Sequence, residues 1–157
     1  MKRILITALV LSMMAITSNA VRAETASHRD AAAFVEHAKI GQNLSAIAFS
    51  AARKTVTFTA LASKVGDAAA VKAVSDEIGA RLPLYQPKWD ECIAQAYANT
   101  FTEEQLSSLA SEGRSSKYAP DVVSRQGVIG KQMEMTAKPI LVDLVSQALS
   151  AAMSKTP

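Results

Sequence analysis

The spacing of its apolar residues is the feature that most limits what this chain can fold into. Apolar side chains recur every three, four or seven positions, for example at Leu44, Ile47, Ala51, Phe58, Leu61 and Val65. This spacing places them on one helix face, whereas the alternation typical of a strand is confined to residues 55–59. Alanines number 29 against 8 aromatic residues, and this ratio favours closely packed helices over a thin core. We therefore predict an all-α fold, a single compact bundle of about five to seven helices.

The first 23 residues have the pattern of a cleaved signal peptide. Lys2 and Arg3 precede an apolar run over residues 4–17, and small residues follow it. The run has about 14 residues, fewer than the roughly 20 that a membrane-spanning helix needs, so we expect no stable membrane anchor. Cleavage after Ala20 or after Ala23 satisfies the small-residue rule, and we prefer Ala23. Residues 24–157 then form a single all-helical domain that is periplasmic or secreted.

Removal of the predicted signal segment changes the charge of the chain. The whole sequence has 17 Lys and Arg against 14 Asp and Glu, a formal net charge of +3. Lys2, Arg3 and Arg22 belong to residues 1–23, so the mature domain keeps 14 residues of each sign. Nucleic-acid binding depends on an excess of basic side chains that face phosphates. We therefore expect no nucleic-acid partner.

Turn and capping residues divide the first part of the domain. Ser27 is expected to cap a helix that ends at Gly41. Asn43 is expected to cap a second helix, which we continue through residues 55–59 to Val65 because strong helix formers flank that stretch. Gly66 then gives a stop and the start of a new helix.

Prolines supply the predicted breaks in the second part. Residues 82–87, LPLYQP, form a predicted turn, because each proline disfavours a helical conformation in the residue before it. A short third helix therefore ends at Pro83, and Pro87 suits the first turn of a fourth. At Pro139 we predict either a kink or two helices that meet. The inner stripe of this last pattern consists of Val122, Ile129, Met133, Ile140, Leu144, Ala148 and Ala151.

The best-defined local signal is NTFTEEQL, residues 99–106. The Thr102 side chain can accept a hydrogen bond from the Gln105 amide while the Gln105 side chain reaches back to the Thr102 amide. Phe101 can pack on Leu106 as a hydrophobic staple. This capping box predicts a helix from about Glu103 to near Gly113.

The longer segment YANTFTEEQLSSLA, residues 97–110, resembles the motif region of a bacterial exported family known as domain of unknown function 2059. The family's FTxxEL-type helix start is matched here at Phe101, Thr102, Glu103, Glu104 and Leu106. Gln105 stands where the family commonly has Glu, and only Ser115 is kept from the family's later Ser-Pro-x-Gly turn. The resemblance implies a helical periplasmic domain of no established biochemical role, and it carries over no catalytic residue.

Side chains that could bind metals or catalyse are scattered along the sequence. His28, His37 and Cys92 do not have the spacing of a known metal-binding motif. The acid pairs at residues 76–77, 90–91 and 103–104 are adjacent, and adjacent side chains on a helix point about 100° apart. The strings GxSxG, GxGxxG and GxxxxGK[ST] do not occur. We therefore predict no catalytic, cofactor-binding or metal-binding residue, and no cofactor.

Several apolar residues allow both a core and a binding interpretation, and we favour the core. Three aromatic side chains lie close together and could instead line a cleft or a partner-binding face: Tyr85, Trp89 and Tyr97. Three methionines are interpreted as gap-filling core residues: Met133, Met135 and Met153. We interpret Cys92, the single cysteine, as a small buried residue, with a reactive thiol or an intermolecular disulfide as the alternative.

These patterns favour a non-enzymatic binding or protein-interaction module of the cell envelope. Its partner is then an unknown protein or a small apolar ligand. One alternative is a carrier whose helices enclose an apolar ligand or lipid, and a second is a hydrolase with a dispersed site. A third is an oligomer held by the C-terminal helices, which a charge at Leu144 is expected to disperse.

Overall fold

The computed structural model describes residues 14–156, with side-chain surroundings from residue 26 onward. Within this part the chain forms six α-helices, one 3₁₀ turn and no strand. The elements are α1 (Met14–His37), α2 (Leu44–Arg53), α3 (Val56–Val65), α4 (Asp67–Ala98), α5 (Glu103–Glu112), the 3₁₀ turn (Gly113–Ser115) and α6 (Ala119–Ser154). The predicted all-α fold of five to seven helices is confirmed. Residues 1–13 of the predicted signal segment lie outside the described residues.

Two long antiparallel helices, α4 and α6, form the centre of the fold. They have 32 and 36 residues, which correspond to lengths of about 48 and 54 Å. The Tyr85 hydroxyl donates to Asp143 Oδ2 at 2.6 Å, and Lys155 pairs with Glu77 further along the same interface. Helix α4 contacts every other helix, so it is the element on which the bundle is assembled.

The shorter helices cover the two ends of this central pair. Helices α1 and α5 pack near the C-terminal end of α4, where the ring of Tyr97 lies 5.4 Å from that of Phe34 and 5.7 Å from that of Phe101. Helices α2 and α3 pack on α4 and α6. The largest fully buried side chains of the core are Leu44, Leu61, Val74, Ile78, Leu106, Leu109 and Leu144.

The predicted break at residues 82–87 is wrong, because α4 continues through Pro83 and Pro87. At Pro139 the alternative of two helices that meet is wrong, because α6 is one helix through this residue. A proline inside a helix costs about 3 kcal/mol locally. All three prolines are exposed, while Tyr85 and Trp89 between and beside them are buried. The apolar burial along each helix therefore outweighs the lost backbone bonds.

The predicted single helix over residues 44–65 is also wrong, because the chain breaks at Thr55. The Thr55 hydroxyl donates to the Ala52 carbonyl at 2.7 Å and accepts from the Phe58 amide at 3.1 Å. It thus satisfies one carbonyl at the end of α2 and one amide at the start of α3. The two hydrogen bonds of the Thr55 hydroxyl stabilise the break between α2 and α3. They outweigh the helix propensity of the flanking residues, which favours one continuous helix.

The other predicted helix ends have mixed outcomes. The capping box of Thr102 and Gln105 is present, and Gly113 follows α5 as expected. Asn43 precedes α2, but its side chain makes no capping hydrogen bond. The predicted cap at Ser27 is wrong, because α1 already begins at Met14 and Ser27 lies in its interior. The helix-forming residues before Ser27 allow the helix to extend past it.

Candidate binding groove

An uncharged groove of about 560 Å³ lies between the α2–α3 junction and the C-terminal half of α6. None of the nine residues that line it is charged. They are Ala51, Thr55, Thr57, Leu141, Val142, Val145, Ser146, Leu149 and Ser150. We call this surface the groove, and it combines an apolar floor with hydroxyl groups on both walls.

The α6 wall of the groove follows from two rows of residues spaced by four. Leu141, Val145 and Leu149 form one row, in which Val145 and Leu149 are buried. The neighbouring row is Val142, Ser146 and Ser150, and all three of these residues are exposed. Residues four apart lie above one another on a helix, so the wall has an apolar inner row beside a more polar outer row.

The opposite wall exists because the chain breaks at Thr55. This break turns Thr57 toward the groove and leaves Val56, at the first position of α3, 86% exposed. Phe58 points into the core, where its ring meets that of Phe49 at 6.3 Å. Arg53, two residues before Thr55, reaches Asp67 at 3.6 Å and lies over the Phe58 ring, and it does not line the groove.

Three hydroxyl groups of the groove have no hydrogen-bond partner among the described residues: those of Thr57, Ser146 and Ser150. Some helical hydroxyls elsewhere donate to the carbonyl four residues earlier, as those of Ser63, Thr136 and Ser154 do, whereas the three groove hydroxyls do not. The groove hydroxyls can therefore each donate to or accept from a bound molecule.

A second cavity, of about 380 Å³, lies between the end of α1, the turn at residues 38–43 and α4. We call it the charged cleft, because Glu36, Lys39, Asp90 and Glu91 line it together with apolar residues. Gln86 Nε2 donates to the Gly41 carbonyl at 3.1 Å and to Asp90 Oδ1 at 2.7 Å. Of the four charged side chains of the cleft, Asp90 is thus held by α4 and the turn.

The turn beside the charged cleft is tightly constrained. Lys39 has a φ of 54° and Gly41 a φ of 93°, both in the left-handed region. A Cβ atom on Gly41 would lie 2.6 Å from Cδ1 of Ile93 and 2.8 Å from Oδ1 of Asp90. Glycine is therefore needed at this position both for its backbone angle and for the close approach to α4.

Cys92 lies beside a third, smaller cavity of about 210 Å³, whose other lining residues are mostly polar. Cys92 is half-buried, has a free thiol and packs against the core, so its interpretation as a small buried residue is confirmed in part. Asn99 joins two glutamines there: Gln95 Nε2 donates to Asn99 Oδ1 at 2.9 Å, and Asn99 Nδ2 donates to Gln132 Oε1 at 3.3 Å. These amides satisfy each other across α4 and α6.

The histidines and acid pairs of the sequence do not converge on one site. His28 Nε2 lies 2.9 Å from Glu91 Oε1, where α1 faces α4. Asp76 faces solvent and pairs with Lys72, whereas its neighbour Glu77 is buried. In the part of the chain that the structure describes, no group of three or more His, Cys, Asp and Glu residues could hold a metal ion.

Glu77 lies at the far end of the α4–α6 interface, between two cations. It pairs with Arg81 on its own helix and with Lys155 just after α6. The hydrogen bonds from Lys155 and then Arg81 hold the pKa of Glu77 below its usual value. At Tyr85, the hydrogen bond to Asp143 raises the tyrosine pKa and lowers that of Asp143. These contacts tie α6 to α4 and lie outside the groove.

The core interpretation of the aromatic residues is confirmed, since Tyr85, Trp89 and Tyr97 are all buried. The interpretation of the methionines is confirmed in part. Met133 and Met153 pack against the core, but Met135 is 73% exposed. The groove itself was missed, although the Thr-rich run at residues 55–59 and the four-residue spacing of Val142, Ser146 and Ser150 were its signals.

No family model matches the chain, and no curated protein and no solved structure matches it either. Among the described helices, none is both long enough and apolar enough to cross a membrane.

Proposed function

We propose that this protein is a non-enzymatic binding module of the cell envelope and that the groove is its binding surface. The observation that carries the proposal is the uncharged concave lining, with Val142 57% exposed at its edge. A concave, mostly apolar surface with a few polar groups is typical of a small-molecule binding site.

The signal-peptide pattern of residues 1–23 supports a periplasmic or secreted location for this module. The capping box at Thr102 and Gln105 supports membership of the exported family known as domain of unknown function 2059, because it forms the FTxxEL-type helix start of that family. Both statements are proposals. N-terminal sequencing of protein recovered from the periplasm tests the first and distinguishes cleavage after Ala20 from cleavage after Ala23.

A carrier of a small apolar ligand is the second candidate, and the size of the groove favours it. Small-molecule sites enclose about 300–1,000 Å³, and the groove has 560 Å³. A charge at Leu144 does not test the oligomer alternative. Leu144 is fully buried within the bundle, so a charge there would unfold the protein and would not report on an interface.

The proposal is tested by placing a carboxylate at the edge of the groove with Val142→Glu. Val123→Glu is the matched control, because Val123 is equally apolar, 68% exposed and on the same helix, but does not line the groove. Native mass spectrometry of protein purified gently from the periplasm should show added mass on the wild type and on Val123→Glu. Val142→Glu should lose it while its thermal midpoint stays that of the control.

Retention of the same added mass by Val142→Glu would place binding elsewhere and contradict the proposal. If the wild type has no added mass, it is next tested against a library of apolar compounds. Absence of any binding that Val142→Glu weakens would also contradict the proposal.

A further inference from the structure

The groove has features that select among ligands, and we propose that it takes a neutral, apolar small molecule carrying a hydroxyl or carbonyl group. A long-chain alcohol or ester belongs to this class, and a fatty acid anion does not. The inference rests on the proposed function of the groove as a binding surface. It adds the chemical class of the ligand.

The size of the groove favours a small molecule over a protein. A standard protein–protein interface uses about 20–30 residues on each side, whereas nine residues line the groove. Its volume lies in the range of small-molecule sites, and its floor consists of aliphatic side chains such as Leu141, Val145 and Leu149. An aliphatic chain or ring is the ligand body that such a floor stabilises by burial.

The hydroxyl groups explain why the ligand needs a polar group as well. Thr57 is on one wall and Ser146 and Ser150 are on the other, and none of their hydroxyls has an intramolecular partner among the described residues. A pure hydrocarbon would cover these groups and leave them without water or a partner, which costs free energy. A ligand hydroxyl or carbonyl restores the hydrogen bond, so it binds better than the hydrocarbon alone.

The absence of charged lining residues explains why the ligand is neutral. An anionic head group loses its hydration when it enters the groove, and no lining residue supplies a compensating cation. Arg53, two residues before Thr55, is engaged with Asp67 and the Phe58 ring. The groove therefore disfavours anions even when their apolar body is the same as that of a good ligand.

Two fluorescent probes with one ring system test the charge preference. N-phenyl-1-naphthylamine is neutral, and 1-anilinonaphthalene-8-sulfonate is the same molecule with a sulfonate. We expect the neutral probe to bind the purified protein at least ~10-fold more tightly than the sulfonate probe. We expect 1-dodecanol to displace the bound neutral probe and dodecanoate to fail at the same concentration.

A charge introduced at Ser146 shows whether this preference comes from the groove. Ser146→Lys should bring a cation to the wall and shift the affinity ratio toward the sulfonate probe by at least ~10-fold. Ser75→Lys is the control, because Ser75 is an exposed helical serine on α4 outside the groove, and it should leave the ratio unchanged. Both positions are exposed, so neither substitution should disturb the core.

Equal or tighter binding of the sulfonate probe by the wild type would overturn the inference, and so would an unchanged ratio in Ser146→Lys. In either case, added native mass that Val142→Glu removes would still support the groove as the binding surface. If neither probe binds and Val142→Glu has no effect on native mass, the proposed function fails together with the inference.

Discussion

The groove and the charged cleft are two cavities of one bundle, and they differ in how far their polar side chains contact the rest of the fold. In the charged cleft, Asp90 accepts from Gln86 and Glu91 lies 2.9 Å from His28, so two of its four charged side chains have partners. In the groove, the hydroxyls of Ser146 and Ser150 have none in the described part of the chain, and Val142 is exposed. Side chains held by the fold are explained by folding, whereas the hydroxyls of the groove face water and remain available to a ligand.

The backbone shows the same contrast between the two cavities. The charged cleft is bordered by a turn with left-handed Lys39 and a glycine pressed against α4. The groove is bordered by two regular helices that meet at one threonine, Thr55. We infer that the cleft depends on a close fit of backbone and the groove on side chains. Substitutions that act on each cavity separately test this difference.

The largest effect is expected for Gly41→Ala in the turn beside the charged cleft. The left-handed φ of 93° costs a non-glycine residue about 1–2 kcal/mol, and the displacement of the buried Ile93 side chain adds a similar amount. We expect a loss of about 2–3 kcal/mol in the free energy of unfolding measured with urea. Gly66→Ala is the control, because Gly66 has a φ of 88° but nothing within 4 Å of its added Cβ.

The Gly66→Ala control should lose only a backbone contribution of about 1–3 kcal/mol, because a φ of 88° with a ψ of 152° is essentially confined to glycine. Equal losses in the two variants would show that the close approach of Gly41 to α4 contributes nothing to stability.

Thr55→Ala should have the next largest effect, because it removes the residue that forms the corner of the groove. The hydroxyl of Thr55 serves α2 and α3 together, so we expect a loss of about 1–2 kcal/mol in the free energy of unfolding. Thr102→Ala removes the capping-box hydroxyl from the single helix α5 and should cost about 1 kcal/mol. Only Thr55→Ala should also weaken binding of the neutral probe to the groove.

A Thr55→Ala variant that binds the probe like the wild type would mean that the break at Thr55 does not shape the groove. An unfolding midpoint unchanged by Thr102→Ala would contradict the capping box as a stabilising contact.

The smallest effect concerns the ion pairs that fix the end of α6 beyond the groove. The pKa of Glu77 is lower in the folded protein than in the unfolded chain, so its ionised form stabilises the fold. This contribution is fully present above the usual Glu pKa of about 4.3 and is lost as the pH falls through the lower folded value. Thermal midpoints of the wild type and of Glu77→Gln should therefore differ at pH 7 and approach each other at low pH.

Asp76→Asn is the matched control for Glu77→Gln, because Asp76 is the adjacent acid and pairs with Lys72 in the open. It should leave the thermal midpoint close to that of the wild type at both pH values. A gap between wild type and Glu77→Gln that stays constant with pH would contradict the stabilising role of the Glu77 carboxylate.

Helix ends were predictable from the sequence where one or two local residues determine them. The capping box at Thr102 follows from side chains three positions apart, and Gly66 and Gly113 end helices as expected. The core positions of Tyr85 and Trp89 were also predictable, because the free energy gained by burying a large aromatic ring usually exceeds that of leaving it exposed at a cleft or surface.

Competition between local and tertiary contributions was not predictable from the sequence. Pro83 and Pro87 favour a break locally, and only the packing of α4 against every other helix reverses that preference. At Thr55 the helix breaks although the flanking residues favour a helix, because its hydroxyl hydrogen-bonds both to a carbonyl of α2 and to an amide of α3. The groove depends on both outcomes: a continuous α6 through Pro139 and a break between α2 and α3.

Pro139 also determines where α6 can bend. It has no amide to donate to the Met135 carbonyl, so one rung of the hydrogen-bond ladder is missing two residues before Leu141, where the wall of the groove begins. Before this point, α6 is fixed to the rest of the bundle where the Arg125 guanidinium donates to the Thr100 carbonyl at 2.7 Å. The missing rung thus lies at the edge of the groove, between the part of α6 that Arg125 fixes to the bundle and the part that Asp143 and Lys155 fix to α4, so it is the point at which a bend of α6 breaks no backbone hydrogen bond of its own.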